Sequence, residues 1–169
     1  LMRLIAIDPG IRGCGVARFN EEARLEWAGY VKNPVAKGDD FGAICAMAQA
    51  IQERVGLFPL EAFVGEFPQV YQGSKQKGDP RDLLALAGVV SAAATIIPAK
   101  KHIRLFPREW KGQVDPDKVT TRVLSKLDFA ERHTIEKCAQ SLVHNVVDAI
   151  GIGLFVLKRY GQPTVLFPA

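Results

Sequence analysis

Three acidic residues stand where a merely solvated carboxylate is out of place. Asp8 closes the apolar run RLIAID, Glu66 closes AFVGE, and Asp148 lies inside the apolar stretch HNVVDAIGIGLF. An unpaired charge is costly to bury, and open α/β sheets place their sites outside the carboxyl ends of strands. Three carboxylates gathered there would repel and raise one another's pKa values. A divalent cation relieves that repulsion, and an all-oxygen donor set suits Mg²⁺ or Mn²⁺ rather than zinc. Each acid also has an ordinary reading: Asp8 as a turn former before Pro9-Gly10, Glu66 as a strand-end surface residue, Asp148 on a solvated helix face. The coincidence of all three points to a metal centre.

Several elements must position these acids. Residues 3–8 read as a central strand ended by the Pro9-Gly10 turn, followed by strands over 13–19 and 25–31. Three short strands with tight turns form an antiparallel meander. Asp39-Asp40 opens a helical pattern carried by Phe41, Ile44, Ala48, Ile51 and Val55 and stopped at Gly56. Residues 62–66 are a short buried strand, and 68–79 a polar loop containing Lys75 and Lys77. Asp79-Pro80 and Asp115-Pro116 each pair an N-cap with proline at the first helical position. They predict helices over 80–97 and through Leu127, with a strand over 103–106 between them. The first of these helices is almost wholly apolar beyond Asp82, as a core or interface helix would be. A last helix spans 144–160, ended by Gly161. The order describes one mixed α/β domain over residues 1–169.

Composition narrows the partners. The 169 residues are 48% hydrophobic and 24% charged, which argues against disorder. No apolar run approaches a membrane span of about 18 residues, and no secretory leader is visible. Three cysteines, Cys14, Cys45 and Cys138, form no CxxC pair, so neither a disulfide framework nor a zinc knuckle is expected, and a cytoplasmic location fits. Residues 1–97 carry 10 Lys+Arg against 11 Asp+Glu, whereas residues 98–169 carry 12 against 7. A basic half suggests a polyanionic partner. Lys100, Lys101, Arg104, Arg108, Arg122 and Lys126 read as general phosphate contacts, and Trp110 and Phe106 as core.

The string IAIDPGIRGCGVARF resembles the first strand and hairpin of RuvC-type Holliday junction resolvases, within the ribonuclease H-like fold. In the same order, FVGEF resembles the strand ending in that family's second catalytic acid. GDPRDLLALAGVVSAA is similar to the helix after it, FPREWKGQVDPDKVTTRVL to the basic segment, and HNVVDAIGIGL to the closing helix. The similarity spans nearly the whole chain, and the variant motifs look more like bacteriophage members. It implies a mixed sheet of three antiparallel and then parallel strands, flanked by helices. It also implies a homodimeric endonuclease that cuts four-way DNA junctions by hydrolysis with two Mg²⁺ ions, Mn²⁺ substituting.

Carried over residue by residue, Asp8, Glu66 and Asp148 become metal ligands, and Lys111 and Lys118 the basic positions near the scissile strand, with Lys118 catalytic. An aromatic after the second acid wedges the junction centre in the family; here Phe67 and Tyr71 are the candidates. Lys75, Lys77 and Arg108 would contact DNA, and the helix over 80–97 would carry much of the dimer interface. The family places Asp or His three residues before the last Asp, where this chain has Asn145. His144 sits one helical turn before Asp148 and is the stronger ligand type, so it is the expected fourth ligand, with Asn145 the alternative.

Two other classes share parts of this pattern. One is a different ribonuclease H-like nuclease, acting on RNA–DNA hybrids or in packaging; the other is a junction-binding module whose site has decayed at Asn145. IDPGIRGCGV also resembles the phosphate loop of actin-like and sugar kinases, but those need two such domains, and 169 residues are too few.

Overall fold

A computed structural model describes residues 2–35, 40–56, 59–69, 79–112 and 114–161. The expected sites Tyr71, Lys75 and Lys77 lie outside the described residues. Five strands form one sheet: β1 (Leu4–Asp8), β2 (Gly13–Phe19), β3 (Leu25–Lys32), β4 (Leu60–Glu66) and β5 (Ala99–Leu105). Their spatial order is β3-β2-β1-β4-β5, with β1–β2 and β2–β3 antiparallel and β1–β4 and β4–β5 parallel. This is the mixed sheet that the sequence predicts.

Side-chain alternation along the central strands splits the core in two. Leu4, Ala6, Ala17, Phe19, Ala62 and Val64 pack on one side with Val146, Ile150 and Leu154 of the last helix. Ile5, Ile7, Val16 and Phe63 pack on the other with Met47, Ile51, Val89 and Ala93. Those four belong to α1 (Asp40–Val55) and α2 (Pro80–Ile96). The Asp79 carboxylate accepts the Arg81 N–H, capping α2 as its sequence predicts. The same device starts α4 (Pro116–Leu124), where Asp115 accepts the Asp117 N–H.

Three features depart from the sequence reading. β5 begins at Ala99 rather than 103, because it is an edge strand whose Lys100, Lys101, His102 and Arg104 are all exposed and give no burial alternation. Two short helices, α3 (Pro107–Trp110) and α5 (Phe129–His133), are too brief for a periodic signal. The last helix, α6 (Val143–Val156), ends four residues earlier than expected.

α6 lies across β2, β1 and β3 and is seated at both ends. Near its start, the backbone passes so close to β2 that a Cβ at Gly15 would collide with the Asn145 carbonyl. Just beyond its end, Arg159 donates to both carboxylate oxygens of buried Glu131, at 2.6 and 2.9 Å, while Glu131 also accepts the Leu25 N–H of β3. Burial pushes the Glu131 carboxyl up, but Arg159 and the two backbone donors outweigh it and hold it below its ordinary range.

Candidate active site

Strand periodicity decides where the first two acids point. Asp8 continues the Leu4, Ala6 series and Glu66 the Ala62, Val64 series, so both fall on the α6 side of the sheet. β1 and β4 are parallel neighbours with Ile7 opposite Gly65, so the two carboxylates occupy the next step of that register. Both are buried, Asp8 at 8% and Glu66 at 9% exposure. Asp148 approaches from α6 and is half-buried.

Each acid has a different partner. Asn145 Nδ2 donates to Asp8 Oδ2 at 2.9 Å. The indole Nε1 of Trp110 donates to Glu66 Oε2 at 2.6 Å. The Lys111 ammonium bridges Asp148 Oδ2 at 2.9 Å and Glu66 Oε2 at 3.5 Å, 5.0 Å from the Trp110 ring centre. The link is therefore a chain: Asp148, Lys111, Glu66, Trp110, with Asp8 joined through Asn145.

The acids also act on one another's titration. Burial, then the charges of Glu66 and Asp148, drive the Asp8 carboxyl well above its usual range. The Asn145 hydrogen bond and Lys111 oppose this shift without cancelling it. Burial also raises Glu66, with Asp148 adding to it against the pull of Lys111 and Trp110. Burial works against the Lys111 charge, but Glu66 and Asp148 outweigh it and hold the ammonium more firmly protonated than usual.

This donor set fits a hard divalent cation in its chemistry. Asp8 is a buried carboxylate whose pKa is raised by two others, and among the described residues the one hydrogen bond to its side chain comes from a neutral amide. Such a group is stabilised by a cation. Among the described residues, however, no three His, Cys, Asp or Glu side chains already converge closely enough to hold an ion unaided. Lys111 holds part of that space as an internal counter-charge.

The remaining expected site residues are distributed unevenly. Asn145 and Asp148, three apart on α6, face the strands together. His144, the expected fourth ligand, has an exposed side chain instead, so the structure brings Asn145 and not His144 to Asp8. Lys118 is exposed on α4 and makes no ion pair among the described residues, whereas Lys111 enters the site. Phe67 directly follows Glu66 and is half-buried, and Arg108 is exposed on α3. Trp110, read from the sequence as core, is buried but also orients Glu66. Its place directly before Lys111 was the available signal.

The geometry makes a direct prediction for the fourth position. Asn145→Ala is expected to lower metal-dependent cleavage at least roughly tenfold, and His144→Ala to leave it within about twofold. Rates under saturating Mg²⁺ decide between them, and an impaired His144→Ala beside an intact Asn145→Ala would reverse the assignment.

No protein-family model and no curated protein sequence matches the chain. Solved structures do. RuvC of Thermus thermophilus in complex with a Holliday junction substrate shares 22% identity over 91% of this chain and 92% of its own, with a TM-score of 0.59. A second Thermus thermophilus RuvC structure shares 23% identity over 90% and 92%, at 0.54. The yeast mitochondrial Holliday junction resolvase Ydc2 shares 12% identity over 94% and 80%, at 0.53. These likenesses establish the ribonuclease H-like α/β fold.

Proposed function

We propose that this chain is a structure-selective endonuclease that resolves four-way DNA junctions by metal-dependent phosphodiester hydrolysis, acting as a homodimer. One observation carries the reading. Buried Asp8 and Glu66, on adjacent parallel strand ends, share a sheet face with Asp148 and Asn145 of α6, in a fold like that of the resolvases named above.

Asp8, Glu66 and Asp148 would hold two Mg²⁺ ions, with the Asn145 amide as a neutral fourth group. The chemistry supplied there, when the ions are bound, is activation of a water and stabilisation of the leaving 3′ oxygen, giving 5′-phosphate and 3′-hydroxyl ends. Trp110 keeps one Glu66 oxygen directed by its indole N–H. Asn145 does the same for Asp8. Lys111 offsets the repulsion between the metal-free Glu66 and Asp148 carboxylates, and its ammonium would offset charge developing on a phosphate held at those acids. Lys118, Arg108, Lys75 and Lys77 belong to the phosphate footprint, and Phe67 or Tyr71 to the junction wedge.

The dimer surface we assign is the exposed side of α1 and α2. Ile44 lies against Gly88 and Gln52 against the Ile96 carbonyl, so the two helices run side by side in the same direction. Phe41 and Leu84 consequently sit at the same end, 79% and 73% exposed. A second copy covering them would remove a large apolar area from water.

The deciding experiment compares cleavage of a four-way junction, a linear duplex and an RNA–DNA hybrid with and without Mg²⁺. Junction-selective cutting is expected. Preference for the hybrid would instead support a different ribonuclease H-like nuclease, and junction binding without cutting would support a decayed site.

The lysines follow from the same geometry, and their order reverses the sequence expectation. Lys111→Ala is expected to slow cleavage on the order of 10²-fold while lowering the Mn²⁺ concentration needed for half-maximal activity, because a competing cation is gone. Lys118→Ala is expected to weaken junction binding and reduce its salt slope by about one, with turnover of bound junction unchanged. Single-turnover rates against metal concentration separate the two, and a normal rate for Lys111→Ala beside a dead Lys118→Ala would restore the original order.

A further inference from the structure

Most arginines with an ion pair sit far from the acids: Arg3 with Glu21, Arg18 with Glu26, Arg24 with Asp128, Arg54 with Glu136, Arg159 with Glu131. Arg104 is different. It is exposed at the active-site end of β5, opposite Gly65 in the β4–β5 register, one step along the strands from Glu66 and so on the α2 side of the sheet, as Phe67 is. Among the described residues it has no carboxylate partner. Its guanidinium lies instead over two aromatic rings, 4.5 Å from the centre of Phe106 and 5.9 Å from that of Phe67.

The backbone carrying each ring is anchored. The Phe67 N–H donates to the Leu105 carbonyl at 2.7 Å, continuing the strand pairing past Glu66. The Phe106 N–H donates to Glu109 Oε2 at 2.6 Å, fixing the turn into α3. A guanidinium held over rings keeps its N–H edges available for hydrogen bonds, loses part of its hydration, and needs less ordering on binding. Those edges suit a bidentate contact with a phosphate. A lysine here could supply the charge but not the planar stacking.

We propose that Phe67, Arg104 and Phe106 form a preorganised phosphate clamp on the α2 side of the sheet end, which takes a backbone phosphate of the DNA strand as it crosses the carboxyl ends of β4 and β5, and so sets the register of that strand at Asp8 and Glu66. This rests on the reading of the chain as a DNA-cutting enzyme and names a contact that fixes where the strand lies. It joins the ring next to Glu66 to a backbone contact, so that a Phe67 turned into a junction would carry Arg104 with it.

The test is junction binding without divalent metal, measured against salt concentration, for wild type, Arg104→Ala, Arg104→Lys, Phe106→Leu and the double variant Arg104→Ala/Phe106→Leu. Arg104 is exposed, so its variants are expected to fold, and thermal melting checks this. Arg104→Ala should lose about tenfold in affinity and reduce the salt slope by about one. Arg104→Lys should keep the slope yet recover less than half of the lost affinity on a logarithmic scale. Phe106→Leu should weaken binding about threefold alone and not at all in the Arg104→Ala background. Position of the cut, mapped on a labelled strand, should become heterogeneous in Arg104→Ala.

Wild-type affinity and slope in Arg104→Ala would overturn the clamp, as would additive losses in the double variant. The junction reading fails separately, if the wild-type protein binds and cuts linear duplex as well as the four-way substrate. An Arg104 slope effect on that duplex would then still establish the phosphate contact.

Discussion

Asp8→Asn, Glu66→Gln and Asp148→Asn are each expected to lower junction cleavage by on the order of 10³-fold or more, with junction binding within a few fold of wild type. Affinity comes mainly from phosphate contacts, and none of these three acids supplies one. A second readout comes from stability without metal. The Asp8 pKa is raised by burial and by its two acidic neighbours. A group whose native pKa lies above its unfolded value contributes stability that is fully present below the unfolded value and lost as pH rises through the native one. At neutral pH the metal-free wild type therefore bears a cost that Asp8→Asn does not. The variant should melt a few °C higher, and the gap should close as pH falls toward the ordinary carboxylate range. Excess Mg²⁺ should reverse the order, since only the intact site gains from the ion. Near-normal cleavage by two of the three variants would sink the site assignment. A pH-independent difference in melting would remove Asp8 as the strained member.

Gly15→Ala carries the second large effect, although the residue has no side chain to contribute chemistry. Gly15 pairs with Asp8 across β1 and β2, and α6 rests on it at Asn145. The atom a Cβ would strike is backbone carbonyl rather than a flexible side-chain tip, so the helix itself must move. Overpacking of this kind costs about 1–3 kcal/mol, or several °C in melting temperature. The displacement also draws Asn145 and Asp148 away from Asp8, and misplacement by about 1 Å can cost around 10²-fold in rate. Gly151→Ala is the informative companion. There the collision is with the Trp110 ring, so the disturbance passes to Glu66. Measured together, both variants should lose far more activity than their melting temperatures alone would suggest. A Gly15→Ala protein with normal cleavage would show that α6 is not held in register at that point.

Asp8, Glu66 and Asp148 were legible because each interrupts an apolar pattern, and an interruption of that kind carries information without any knowledge of pairing. The end of β1 was legible from the Pro9-Gly10 turn, and the starts of α2 and α4 from their Asp-Pro caps. Which of His144 and Asn145 lies beside Asp8 was not. Spacings of three and four both return to one helix face, and the rotation that selects between them is set by the contact at Gly15, 130 positions away in the chain. Lys111 and Lys118 present the same difficulty, since both stand in a basic stretch and only the short α3 turns one of them inward. β5 was truncated because an edge strand with solvated side chains has neither alternation nor an apolar run. Trp110 was read by its bulk, whereas its indole N–H is what Glu66 uses.

The hydrogen bond from Asn145 to Asp8 joins positions 137 residues apart. At roughly 5–20 residues per second of synthesis, β1 leaves the ribosome on the order of ten seconds before α6 exists. Throughout that interval the chain can pair β1, β2 and β3, but it has no Asp148, no Asn145 and no helix to bring either. A chain that stops before α6 therefore lacks the assembled acid cluster, whatever fraction of the sheet it has formed. The contact between Asn145 and Asp8 is also one of the long-range pairings whose loop-closure entropy must be met before they contribute. The cutting activity proposed for the chain is thus withheld until α6 has been made, with no inhibitor required.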